Sequence, residues 1–108
     1  MYIARIWKGA VPTVRADEYV EYQRATGLRD IAATPGNAGV LLLRHADGDV
    51  TRFTTLSLWE SRDAIRAFAG VDGDRARIEP RDAEFLVEDA STVEHLEVAF
   101  NGLGDGAH

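Results

Sequence analysis

The chain contains no cysteine. Disulfides, thiolate metal ligands and a cysteine nucleophile are excluded together. It also lacks any run of about 20 apolar residues, the length a membrane-crossing helix needs. The opening "MYIARIWKGAVP" has neither a long apolar stretch nor a cleavage-site pattern, so it does not read as a signal peptide, and the expected compartment is the cytoplasm. Positive charge is in deficit: 12 Lys and Arg stand against 18 Asp and Glu, a net charge of -6. The basic residues are scattered, whereas nucleic-acid binding needs them clustered against phosphate. An anionic membrane surface is disfavoured for the same reason. No nucleic acid and no membrane are therefore expected as partners.

Several motifs are missing as well. The three histidines, His45, His95 and His108, never pair at the i, i+3 or i, i+4 spacing of a helical metal site. "VDGDRARIE" has two aspartates beside a glycine but not the ligand spacing of a calcium loop. "GLGDG" has no helix after it on which a phosphate could sit. No G-x-S-x-G nucleophile elbow occurs. Neither a metal nor a cofactor is expected.

What is present is a clear succession of periods. The length of 108 residues fits one domain, expected over 1–100, with 101–108, "NGLGDGAH", as a disordered tail. Tyr2 to Val11 is rich in aromatic and branched residues and reads as a strand ended by Pro12. Ala16, Tyr19, Val20, Gln23, Gly27 and Ile31 then recur at helical spacing. Gln23 puts an amide on that stripe, and Gly27 costs about 1 kcal/mol against alanine, so the helix is expected to bend or break there. "TPGN" suits a turn. Val40 to His45 and Val50 to Trp59 are strands joined through "ADGD", with Asp47-Gly48 as the hairpin turn.

Ser61 is placed to cap the next helix. Ala64, Ile65, Phe68 and Ala69 form that helix's inner stripe, and Gly70 ends it. The stretch 71–90 is irregular, with short helical turns expected around Asp74 to Ile78 and Pro80 to Leu86. Ser91 to Phe100 is the last strand. The order β-α-β-β-α-β defines an α+β, ferredoxin-like split βαβ fold with a four-stranded antiparallel sheet. Two helices cover one sheet face. The other face still carries apolar residues, as "VLLLRH" and Leu96, Val98 and Phe100 show, so a homodimer through the open sheet face is expected.

Some inward-pointing residues have no plain structural need. Arg5 lies mid-strand between Ile3 and Trp7. His95 and Glu97 share one side of the last strand, and Phe53, Thr55, Ser57 and Trp59 share one side of the third. Strands one and three are the central pair in this fold, so Arg5 can meet His95 or Glu97 across the sheet. Two readings stay open: a buried or dimer-interface ion pair, or a pocket whose aromatic wall holds a flat ligand while a few polar groups orient it. Trp59 is open in the same way, between a core plug at a strand-to-helix corner and a pocket wall. Strand parity alone does not say which sheet face each set occupies.

The strand order, the corner "LWESRDAIRAFAG" and the ending "VEHLEV" resemble the antibiotic biosynthesis monooxygenase family of dimeric α/β-barrel proteins, over about residues 2 to 100. The resemblance implies two ferredoxin-like subunits packed sheet to sheet, each with a cavity between its sheet and helices. Some members oxidise anthrones or quinols with molecular oxygen and no cofactor. The anthrone oxidisers resemble this chain at Trp59, but their asparagine one turn of strand earlier corresponds to Thr55 here. The haem-degrading branch has an asparagine, a tryptophan and a histidine at places that correspond here to Ile6 or Trp7, Phe68 and Ile78, so haem degradation is not expected.

The leading expectation is a cofactor-independent monooxygenase acting on an aromatic polyketide-like or quinol small molecule. Trp59, Phe53 and Phe68 would wall the pocket, Arg5 or Gln23 would hold the substrate oxygen, and His95 would be the general base, as the side chain that titrates near neutrality. The alternatives are a non-catalytic dimer that binds a small ligand, and an isomerase or cyclase on the same scaffold.

Overall fold

A computed structural model describes residues 2–70, 76, 81–88 and 90–103. Strand β1 (Ile3–Pro12) leads through a single 3-10 turn, Thr13–Arg15, into helices α1 (Ala16–Ala25) and α2 (Gly27–Ala33). The hairpin β2 (Asn37–Asp47) and β3 (Val50–Trp59) follows, then helix α3 (Arg62–Ala69), a 3-10 turn at Asp82–Glu84, and strand β4 (Val93–Glu97). The sheet order is β2-β3-β1-β4 and every neighbouring pair is antiparallel. This is the α+β, ferredoxin-like fold.

Local chemistry accounts for the boundaries. The first helical stripe breaks at Thr26, whose φ of -127° and ψ of -94° are not helical; its hydroxyl donates to the Tyr22 carbonyl at 2.8 Å. Ser61 caps α3, its Oγ accepting from the Ala64 amide at 3.1 Å, and Gly70 closes the helix at φ 89°. The hairpin loop is Gly48-Asp49, one residue later than Asp47-Gly48. Asp47 stays paired with Val50, and Gly48 takes the positive φ of 65° at the first loop position, where a glycine meets no Cβ penalty.

Strand β2 is longer than its apolar run, because a bulge between Asn37 and Gly39 extends its pairing to Trp59. Strand β4 is shorter than Ser91 to Phe100. Its partner β1 begins at Ile3, and beyond it the Val98 amide bonds to the Tyr2 carbonyl at 2.9 Å. The helical turn expected at Asp74 to Ile78 lies outside the described residues apart from Ala76, as do residues 104–108 of the tail.

The pleat sorts side chains into two faces. Across β3, β1 and β4 the helix-covered face reads, row by row, Trp59–Ile3–Glu97, Ser57–Arg5–His95 and Thr55–Trp7–Val93, then Phe53–Gly9 and Thr51–Val11. It is apolar at both ends and polar in the middle. One end joins Ile3, Ile31, Trp59 and Ile65 in a buried cluster. The other joins Val11, Ala16, Tyr19, Phe53 and Phe85. Burying each such side chain contributes about 1.5–3 kcal/mol. The opposite face carries Leu41–Leu56–Ile6 and Leu58–Ala4–Leu96 in register, with Leu41 57% exposed.

Candidate functional site

Between the two apolar clusters lies a half-enclosed cavity of about 60 Å³. That is room for on the order of four water molecules. Its floor is the polar middle of the sheet: Arg5 and Trp7 from β1, Thr55 and Ser57 from β3, Val93 from β4. Its cover is Gln23 of α1, Gly27 and Ile31 of α2, Phe68 of α3, Ala76 and Asp82. Arg5 and Asp82 are each only 4% exposed. Burying a charge is costly unless other groups replace its hydration, and both find such groups. Arg5 Nη1 lies 2.9 Å from Nε2 of His95, and its guanidinium carbon stands 6.0 Å from the Phe68 ring centre. Asp82 Oδ1 accepts from the Gln23 amide at 3.1 Å.

Trp7 shapes the cavity. Its indole N–H donates to the Ala90 carbonyl at 2.7 Å, which pins the ring. The ring lies over Gly9, where an added Cβ would overlap the indole. Glycine at 27 has a similar use: a Cβ there would come within 2.7 Å of Gln23 Oε1, so its absence lets the Gln23 side chain turn toward Asp82.

Beside this group is Tyr19, whose hydroxyl is fully buried with no partner in hydrogen-bond geometry among the described residues. Burial pushes its pKa well up; the Asp82 carboxylate adds to the rise, and the nearby Gln23 side chain offsets part of it.

The residues singled out from the sequence divide. Arg5, Gln23 and Phe68 line the cavity. Trp59 does not. It is fully buried among Ile3, Ile31 and Ile65, and its indole N–H donates to Ser57 Oγ at 2.8 Å. It stands one layer behind the wall, holding Ser57 and stacking obliquely on Phe68 with ring centres 5.5 Å apart. Phe53 does not line it either, because two residues of strand carry it into the other apolar cluster, 4.9 Å from the Tyr19 ring centre.

His95 shares the helix-covered face with Trp59 and Arg5, yet it is absent from the cavity lining. A guanidinium can only donate, so Nε2 of His95 is the acceptor and its lone pair points at Arg5. In this arrangement the imidazole expected as general base holds Arg5.

Asp82 and Trp7 were not singled out from the sequence. Asp82 sits in an aperiodic stretch that carries no signal for a site. Trp7 looked like an ordinary strand aromatic. Among the described residues no group of three His, Cys, Asp or Glu could hold a metal ion, and no helix is long and apolar enough to cross a membrane.

With this geometry, similar proteins can be compared. No protein-family model matches the chain. No curated protein matches it. Solved structures do. A heme-degrading protein of Mycobacterium tuberculosis is 24% identical, with 94% of this chain and 98% of that one covered, at a TM-score of 0.62. A Nitrosomonas europaea protein named as a candidate antibiotic biosynthesis monooxygenase is 20% identical, with 93% and 100% covered, at 0.67. One of the same description from Caulobacter crescentus is 18% identical, with 92% and 91% covered, at 0.68. At these identities the likeness is one of fold. The chain has the ferredoxin-like architecture of those proteins over nearly its whole length.

Proposed function

We propose that the chain is a cofactor-independent monooxygenase of small enolisable or quinol-type aromatic molecules, working as a homodimer. The observation that carries this reading is the polar floor of the cavity. A buried guanidinium, two hydroxyl side chains and the rings of Trp7 and Phe68 surround one small space, which suits a flat ligand with an oxygen to be held. The naming of similarly folded proteins as candidate antibiotic biosynthesis monooxygenases supports it.

The chemistry asks little of the protein. Removing a proton from a ring CH2 beside a carbonyl leaves an electron-rich enolate. That enolate reduces oxygen directly, and the balance CH2 + O2 → C=O + H2O needs no further reductant. The protein contributes binding, a proton acceptor and a cation for the oxyanion. Homodimerisation would cover the Leu41–Leu56–Ile6 row of the open face.

Heme does not fit this cavity. Among the described residues its lining offers no His, Cys, Met or Tyr as an axial ligand.

The second reading, a dimer that binds a small ligand without turnover, is favoured by one observation: Arg5 occupies the lone pair of His95, the base expected from sequence. Oxygen uptake separates the two. Purified protein is assayed against hydroquinones and one- to three-ring enolisable ketones, beside Arg5→Met. Uptake above the protein-free rate that falls at least tenfold in the variant supports the oxygenase. Ligand-dependent melting shifts without uptake point to binding alone, and oxygen-independent conversion points to an isomerase or cyclase.

A further inference from the structure

Two oppositely charged side chains, each 4% exposed, face one small cavity from different elements. Arg5 comes from the sheet floor, and Asp82 from the 3-10 turn that helps to cover it. Building on the small-molecule reading above, we propose that Asp82 is the proton acceptor of this site and that Arg5 receives the resulting oxyanion. The ligand class is then a neutral, weakly acidic molecule, an enolisable ketone or a phenol, that ionises only inside the cavity.

Four features converge on this. The first is a carboxylate only 4% exposed at the wall of the cavity. The Gln23 amide donates to it at 3.1 Å, and the missing Cβ of Gly27 leaves room for that amide. The second is the Tyr19 hydroxyl, buried near that pair with no partner in hydrogen-bond geometry among the described residues. The third is His95. Its Nε2 accepts from Arg5 at 2.9 Å, so it is a positioning residue that orients the guanidinium. The fourth is the cavity's small volume. Within it, a ligand oxygen facing Arg5 and a ligand proton facing Asp82 belong to the same few atoms.

The step balances on those groups alone. A substrate C–H or phenolic O–H bond breaks, and its proton forms an O–H bond with the Asp82 carboxylate. The electron pair stays on the substrate as an enolate or phenolate, whose oxygen faces Arg5. No oxidant enters this step.

A purely structural role is also available to Asp82, since its bond to Gln23 staples the 3-10 turn to α1. Asp82→Asn separates the two roles, because an amide oxygen can still accept from Gln23 but is a poor proton acceptor. The assay is deuterium exchange at the α-carbon of acetone, and of cyclopentanone, small enough for the cavity, followed by NMR under argon in deuterated buffer. Thermal melts are recorded alongside.

Wild type should exchange both ketones above the protein-free rate. Asp82→Asn should lose on the order of 100-fold, the usual scale of general-base catalysis. His95→Gln, whose amide oxygen can still accept from Arg5, should lose less than about tenfold. Asp82→Glu keeps a carboxylate and should retain measurable exchange even where the asparagine variant fails to fold.

The assignment is overturned by a folded Asp82→Asn that exchanges at the wild-type rate, by His95→Gln losing as much as Asp82→Asn, or by wild type exchanging neither ketone. Oxygen uptake that is indifferent to Asp82 overturns it while leaving the oxygenase reading in place. Exchange that depends on Asp82, without uptake of oxygen, supports it and removes the oxygenase.

Discussion

Replacing Tyr19 by phenylalanine should stabilise this protein, although the side chain is fully buried and ringed by aromatics. The ring contacts survive the change: Phe53 and Phe85 lie at centre distances of 4.9 and 5.4 Å, and Tyr22 at 6.4 Å. What disappears is a hydroxyl with no hydrogen-bond partner among the described residues. Leaving such a group unsatisfied in a core costs about 1–3 kcal/mol. Removing it should return about 1 kcal/mol after the slight loss of packing. For a chain of 108 residues, 1 kcal/mol corresponds to roughly 4 °C in Tm.

The pH dependence gives a second reading of the same group. Burial first, and the Asp82 charge second, hold the Tyr19 pKa above its ordinary value of 10.0. The folded state therefore binds the phenolic proton more tightly than the unfolded state. This contribution is intact below about pH 10 and is lost as pH rises through the raised folded value. Wild type should accordingly lose stability above about pH 10 more steeply than Tyr19→Phe. Urea and thermal unfolding at one fixed protein concentration, at neutral pH and again at alkaline pH, measure both effects. A Tyr19→Phe variant less stable by 1 kcal/mol or more would refute the reasoning, because the hydroxyl must then have a partner.

Gly36→Ala should destabilise by about 2 kcal/mol or more. Its φ is 91°, and the new Cβ would come 2.5 Å from that of Ala64; a chemical-denaturation midpoint unchanged from wild type would contradict this. Trp7→Leu should lower stability by about 2 kcal/mol while enlarging the cavity, so that anthrone raises the variant's Tm more than wild type's. Equal shifts would mean that Trp7 does not set the wall. Leu41→Glu, placed in the apolar row of the open face, should weaken dimerisation at least tenfold by sedimentation equilibrium, and a wild type that sediments as a monomer would end the homodimer proposal.

Much of the scaffold was legible before any tertiary information. Alternation in Val50 to Trp59, the helical stripe through Tyr19 and Gln23, the Asp-Gly pair near the hairpin loop and the Ser61 cap are local signals. Each acts over a few residues, so each survives in the sequence. The misplacements were equally local in origin: the turn shifted by one residue because Asp47 and Gly48 both suit it, and β4 was overextended because its length is set by where β1 begins.

The site was legible only in part. Parity placed Arg5, Ser57 and Trp59 in candidate sets, and two of the three do meet at the cavity floor. Trp59 and Phe53, expected as walls, lie off this cavity's lining, because alternation gives a face and not a depth. One strand step along the same face takes a side chain from the cavity at Ser57 to the closed core at Trp59. Asp82 was missed because its stretch has no period to read.

By itself, then, the sequence determined the order and kind of the elements, the absence of thiol chemistry and the apolar character of both sheet faces, since these follow from composition and from contacts within a few residues. Only the tertiary structure decided that Arg5 and Asp82, 77 positions apart in the chain, face the same space, that His95 is tied to Arg5, and that Trp7 rather than Trp59 bounds the cavity. Those outcomes depend on how the helices and the loop before β4 settle on the sheet, which is a packing result that no local pattern encodes.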